Sequence, residues 1–309
     1  MSKRPVAKQQ ANPANQSSAK QSSAKQGAAK AGVKPQGRQI TGSSSTNFVP
    51  WIIGGVFVVI VAALVVALTS SGGSDAPAAS NAAAVLKKVA AVKPAVFEEV
   101  GKGTANNPPQ KIKGEATKVD GKPQIVYVGA EYCPYCAAQR WAMVSALSRF
   151  GAFSKIGLTH SSSSDVNPNT QTFTFRGSEY QSDYLSFSGT ETESNQLVNG
   201  SYGKLDTPTA DVQKLIDTYN TKGSIPFVYF GGKYVLSGAT YSPDVLAGKT
   251  ADQIATALSD TSSDISKGAI GSANVMTAAI CAATDQKPAN VCQTATMKDI
   301  SKQLAAGSL

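Results

Sequence analysis

The sequence predicts an α/β domain with a C-terminal helical extension, preceded by one transmembrane helix. Three observations carry that expectation. Residues 48–68 contain no charged side chain. Residues 125–128 (Ile-Val-Tyr-Val) are a continuous apolar run, suited to a central strand, that leads directly into a helical pattern. Further on, two strand-like runs meet at Gly231-Gly232, ahead of helical segments that continue toward the C-terminus.

Charge divides the chain before any element is assigned. Of 29 basic and 20 acidic residues, eight basic and no acidic ones fall in residues 1–47, which leaves 21 basic against 20 acidic elsewhere. A balanced domain has no electrostatic footprint for nucleic acid, so nucleic-acid partners are not expected. Residues 16–30 repeat a five-residue pattern, Gln-Ser-Ser-Ala-Lys, with almost no large apolar side chain, and residues 1–47 therefore read as a disordered tail. The 21 uncharged residues that follow would reach about 31 Å as a helix, roughly one bilayer core. Trp51 lies where an interfacial aromatic is expected, and the excess of positive charge before the span puts the N-terminus in the cytoplasm. Everything after residue 70 is then extracytoplasmic, where disulfides persist, and four cysteines allow three pairings.

The elements follow in order. Residues 69–80 form a tether, and Ser80 can cap a short helix, with Val85, Leu86, Val89 and Val92 at helical spacing, until Pro94 stops it. Tether and helix together occupy residues 69–94, and the folded domain occupies 95–309. Asp120-Gly121 is a hairpin turn signal between residues 111–119 and 124–129. A helix over about 133–150 carries Trp141, Val144 and Leu147 on one side. Leu158 ends another strand, and residues 172–175 and 184–187 alternate apolar and polar side chains as the arms of a β-hairpin would. Residues 208–220 are helical, with Val212, Leu215, Ile216 and Tyr219 on the buried face. Pro226 must head the first strand of the Gly231-Gly232 hairpin because it lacks a ladder donor. Helices fill about 250–260, 265–284 and 293–305.

A strand running into Cys133-Pro134-Tyr135-Cys136 at a helix start, followed later by an x-Pro that opens a β-hairpin and by a final helix, resembles the thioredoxin superfamily. The resemblance covers residues 125–150 and 224–258 and implies a thioredoxin-like fold, with an insertion over about 158–222 and a helical extension over about 262–309. More narrowly, residues 129–142 (Gly-Ala-Glu-Tyr-Cys-Pro-Tyr-Cys-Ala-Ala-Gln-Arg-Trp-Ala), residues 147–153 (Leu-Ser-Arg-Phe-Gly-Ala-Phe), the 172–187 segment, Cys281 and Cys292 resemble a family of single-pass membrane proteins known as domain of unknown function 929. That similarity spans most of residues 81–300.

The chemistry rests on the residues themselves. Disulfide exchange needs one thiolate to attack and a second thiol to resolve the mixed disulfide, and two intervening residues at a helix N-terminus bring the sulfurs within bonding distance. Cys133 would be the exposed attacker, favoured as an anion by the helix N-terminus, and Cys136 would resolve. A static disulfide and a metal half-site are the competing readings of the pair. Pro134-Tyr135 is a glutaredoxin-type dipeptide, and the resemblance implies that Pro226 is cis, packs against the cysteines and leaves the Ile225 backbone free to pair with an extended substrate.

Two positions depart from the superfamily. Tyr127 stands where many thioredoxins place a buried acid six residues before the first cysteine, and nearby Glu131 is expected to face solvent. Ser237 to Asp244 replaces the glutathione-contacting pattern, so glutathione is not expected as a dedicated substrate. Cys281 and Cys292 flank ten residues that include Pro288 and several polar side chains, a poor match to zinc-ligand spacing; they read as a structural staple, with a second redox pair as the alternative. His160 has no nucleophile elbow nearby and reads as a surface or strand-end histidine. No cofactor and no metal are expected. The function expected is a membrane-tethered thiol-disulfide oxidoreductase whose partners are thiols and disulfides of exported or membrane proteins plus a second redox protein; a catalytically inert adaptor is the alternative.

Overall fold

The computed structural model describes residues 75–309. The tail, the span at 48–68 and the first residues of the tether lie outside them. No helix among the described residues is long and apolar enough to cross a membrane.

The described chain opens with helix α1 (Asp75–Ala90) and helix α2 (Pro94–Val100). Ser80 therefore lies inside a helix instead of capping one, and Pro94 opens a helix instead of only closing one. Its missing N–H costs nothing at the first helical position, where that group has no intrahelical partner. Val85, Val89, Val92 and Phe97 from this region are buried.

Three strands follow: β1 (Gln110–Lys111), β2 (Lys118–Val119) and β3 (Lys122–Gly129). The hairpin between β2 and β3 turns at Asp120 and Gly121, both at positive φ, as expected. β1 behaves differently from the expected hairpin arm, because it pairs with a strand far along the chain. Helix α3 (Pro134–Leu147) comes next, then β4 (Gly151–His160), β5 (Gln171–Ser182), β6 (Ser186–Glu191), β7 (Glu193–Val198) and β8 (Ser201–Lys204). Helix α4 (Ala210–Tyr219), the hairpin β9 (Phe227–Phe230) and β10 (Tyr234–Ser237), and helices α5 (Ala251–Ala257), α6 (Asp264–Ala283), α7 (Ala289–Cys292) and α8 (Ala295–Ala306) complete the order.

The main sheet has the order β1-β10-β9-β3-β2, and β6 also pairs with β3, in parallel. This corrects the hairpin expected from residues 172–175 and 184–187. β5 instead pairs antiparallel with β4, and only Ser186 and Phe187 of the second arm are in a strand, β6, beside β3. Alternation reveals that each segment is a half-buried strand, but it carries no information about which strand each will meet.

The sheet is covered on both faces, which explains the unbroken apolar runs. Ile125, Tyr127, Val228, Phe230, Tyr234 and Leu236 point into a large core shared with α3 and α6. Val126, Val128, Phe227, Tyr229 and Val235 form a smaller cluster with Val212, against which Leu215, Ile216 and Tyr219 of α4 pack as expected. At the Gly231-Gly232 turn both residues have positive φ, and a side chain at Gly232 would clash with the Glu115 carbonyl oxygen.

The C-terminal helices belong to the large core. Asn274 in α6 donates to the carbonyl oxygens of Phe97 and Gly101, at 2.7 Å each, and thereby satisfies the exposed end of α2. Cys281 and Cys292 form a disulfide with a Cα–Cα distance of 5.6 Å that joins α6 to α7.

Candidate active site

Helix α3 is the platform of the site, and its sequence explains why it is rigid. Pro134 occupies the first helical position, good helix formers follow, and every residue from Pro134 to Leu147 except Tyr135 is buried. Polar groups on its surface are tied to neighbouring elements. Trp141 Nε1 donates to the Gln171 carbonyl at 2.8 Å, Thr172 Oγ1 to the Ala137 carbonyl at 2.8 Å, and Tyr241 Oη to the Ala138 carbonyl at 2.8 Å. Gln139 Oε1 accepts from both the amide and the hydroxyl of Thr240, at 2.9 and 3.0 Å.

Cys133 is the N-cap of this helix. Its backbone is extended, and its sulfur accepts a hydrogen bond from the Cys136 amide at 3.4 Å. A helix N-terminus offers unpaired amides and a positive field, so a sulfur there is stabilised as the anion. The Cys133 thiol is accordingly held below its ordinary range, chiefly by the hydrogen bond from the Cys136 thiol and further by the Cys136 amide and the Arg140 charge, against the effect of burial. Cys136 is fully buried, and burial together with the neighbouring Cys133 pushes its thiol well up. One thiol is biased toward the anion and the other toward the neutral form. That asymmetry is what a pair composed of an attacker and a resolver requires.

The exposure expected of Cys133 needs correction: only 6% of its surface is accessible. Tyr135 is the exposed residue of the motif, at 45%. The loop before Cys133 is walled in by the segments that follow β4 and β6. Ser162 donates its amide to the Tyr132 carbonyl at 2.8 Å, Glu131 donates its amide to the Glu193 carbonyl at 2.8 Å, and the Tyr132 and Tyr202 rings stack with centroids 4.3 Å apart.

The second expected site segment lies on the neighbouring strand. Ile225-Pro226 is cis, Pro226 is buried and Ile225 is partly exposed. β9 pairs with β3 through Val128 opposite Phe227, so continuing the register by one residue brings Pro226 level with Gly129, at the strand end from which the Cys133 loop departs. Glu191 of β6 stands opposite Gly129 on the other side. Pro134, Tyr135, Ile225 and Pro226 thus come from the two chain segments that converge at the end of β3 near Cys133 and Cys136. Cys281 and Cys292 are joined to each other on α6 and α7.

Glu131 faces solvent only in part. Its carboxylate accepts from Thr174 Oγ1 at 2.7 Å and from Thr159 Oγ1 at 3.4 Å. His160 ends β4, as a strand-end histidine should, and its carbonyl accepts from Asn195 Nδ2 at 2.9 Å.

Sequence reasoning missed two residues. Arg140 and Glu191 form a fully buried ion pair, with Arg140 Nε donating to Glu191 Oε1 at 2.8 Å and Nη2 to Oε2 at 2.6 Å. Burial lifts the Glu191 carboxyl, and the guanidinium opposes that lift. Arg140 could have been flagged from its spacing: it lies four residues after Cys136, on the same face of a largely apolar helix, where it is the one charged side chain. Glu191 leaves no such signal in the sequence.

No curated protein and no solved structure matches the chain. A family model does match, over residues 108–282, a stretch that contains Cys133, Cys136, Arg140, Glu191, Pro226 and Cys281 and stops short of Cys292. With more than half of its length matched, the chain belongs to the family described as Domain of unknown function (DUF929).

Proposed function

We propose that this protein is a thiol-disulfide oxidoreductase built on a thioredoxin-like fold, tethered to the membrane through residues 48–68 and acting outside the cytoplasm on exported or membrane proteins. The observation that carries the reading is the seat of the cysteine pair: Cys133 caps a helix and accepts from the Cys136 amide, while Cys136 lies one turn further in and is fully buried. The arrangement of elements supports it. β3, α3 and the parallel β6 are followed by the antiparallel β9–β10 hairpin and C-terminal helices, the order a thioredoxin-like domain has. The extracytoplasmic location is supported by the charge excess before the span.

In the reducing direction, the Cys133 thiolate attacks one sulfur of a substrate disulfide, forms a mixed disulfide and expels the other substrate sulfur as a thiolate. Cys136 then passes its proton to the substrate thiolate just expelled and attacks the Cys133 sulfur. The second substrate thiolate leaves, and Cys133 and Cys136 end as a disulfide. Two electrons pass from the pair to the substrate. The oxidising direction is the same sequence reversed, and in either direction a second redox protein must restore the pair.

Trapping tests the reading. Cys136→Ala retains an attacker without its resolver, so it should accumulate reducible adducts with exported proteins, and Cys133→Ala should abolish them. The competing reading, an inert adaptor, draws on the low exposure of Cys133. It is favoured if Cys136→Ala yields no adduct.

A further inference from the structure

Beneath the cysteine pair lies a charged cluster that the exchange steps above do not use. Arg140 is one helical turn past Cys136, and helical side chains lean toward the N-terminus, so its guanidinium extends back beneath the motif. Its Nη2 donates to the Ala130 carbonyl at 2.8 Å, the same oxygen that accepts the Cys133 amide at 3.3 Å. Its carbon lies 5.9 Å from the centre of the Tyr127 ring. Glu191 grips the other side of the guanidinium in two hydrogen bonds and also accepts from the Phe175 amide at 3.3 Å. Two buried polar atoms of this cluster, Arg140 Nη1 and Tyr127 Oη, have no hydrogen-bond partner.

Two features set this pair apart from ordinary packing. A buried ion pair is weak support for stability, because desolvating two charges costs about what their attraction returns, and an apolar pair of equal volume often does as well. The cluster is also lopsided, since the guanidinium holds the turn that carries Cys133 while the carboxylate is fixed on the neighbouring strand.

We propose that Arg140, held in place by Glu191, is the positioning residue of the Cys133-Cys136 pair: its guanidinium fixes the turn before Cys133 and puts a positive charge beneath the two cysteines. The inference rests on the redox reading of the pair and extends it to a residue outside the motif. Consistent with it, Arg140 acts on both thiols in the direction of the anion. The titratable groups facing this cluster are Tyr127 on β3, Cys133 and Cys136 on α3 and Glu191 on β6, with Glu131 beyond Glu191.

The test is the pH dependence of alkylation by iodoacetamide in the reduced full chain, followed at Cys133 and, in Cys133→Ala, at Cys136. The double variant Arg140→Met with Glu191→Gln removes both charges together, so neither is left unpaired in the interior. It should slow alkylation of Cys133 near pH 7 by less than about tenfold, the effect of removing one nearby opposite charge alone, because loss of the farther Glu191 carboxylate offsets part of it. Glu191→Gln alone should move the profile the other way, because it removes only the negative member. Arg140→Lys keeps the charge and loses the fork, so its profile should stay within about twofold of the native one while its melting temperature falls.

A folded double variant with unchanged profiles at both cysteines would overturn the proposal and make the pair purely structural. If the double variant does not fold, an Arg140→Lys profile displaced tenfold overturns it as well. Alkylation needs no exchange partner. A native protein whose Cys133 profile depends on Arg140 but which reduces no disulfide would therefore sink the redox reading and leave the electrostatic role of Arg140 standing.

Discussion

The molecule holds two cysteine pairs in opposite settings. Cys133 caps the N-terminus of α3 and is met by an amide donor, on a loop at the end of the central strand. Cys281 lies near the C-terminal end of α6 and Cys292 ends the short α7; both are fully buried, and among the described residues no hydrogen-bond donor reaches either sulfur. A helix N-terminus stabilises a thiolate and a helix C-terminus disfavours one. The same side chain thus sits at the head of a helix in one pair and, joined in a disulfide, near the tail of a helix in the other.

Breaking the first pair should have the largest effect. Cys133→Ala removes the only sulfur at the helix cap, so reduction of a disulfide peptide by the full chain should fall to the uncatalysed background. Cys281→Ala with Cys292→Ala should leave exchange per folded molecule near normal. A double variant that turns over slowly at an unchanged melting temperature would make the second pair a relay and erase the contrast.

The second pair should register in stability instead. Its sequence separation is 11, and a loop of that size constrains the unfolded chain by about 3 kcal/mol. For a domain of this size that corresponds to a fall in melting temperature of roughly 6–12 °C. Thermal melts of the same double variant measure it.

These expectations rest on features that the sequence makes legible to different degrees. Local chemistry was readable: the Asp120-Gly121 and Gly231-Gly232 turns, the apolar run that becomes β3, and the motif at the head of α3 are each specified within a few residues. Pairing across distance was not. The alternation in residues 184–187 identifies a strand but not its parallel alignment with β3, and β1 finds its partner more than a hundred residues away. The Arg140–Glu191 pair joins residues separated by 51 positions, and a lone glutamate in a polar segment carries no mark of burial. Pro94 was ambiguous for another reason, since proline both ends one helix and suits the first turn of the next.

The smallest effect sharpens the comparison within the motif. Tyr135 is the exposed member of an otherwise buried helix. Tyr135→Ala should therefore leave stability within about 0.5 kcal/mol and should not change the rate with a small disulfide. With a protein disulfide, a change confined to KM would mark Tyr135 as a contact for the partner, and an unchanged KM would remove it from the substrate-positioning residues. A fall in kcat with the small disulfide would place it instead in the chemistry of the pair.

The central claim, that Cys133 attacks and Cys136 resolves, is tested most directly by single-turnover reaction of the reduced full chain with a disulfide peptide across pH. The account predicts one disulfide reduced per chain, with Cys133 and Cys136 ending joined, and a rate that reaches half its plateau below about 8.5, the value for a free cysteine, because Cys133 is held toward the thiolate. A rate that rises only around that free-cysteine value, or a product in which Cys133 stays joined to the peptide in the native protein, would contradict it.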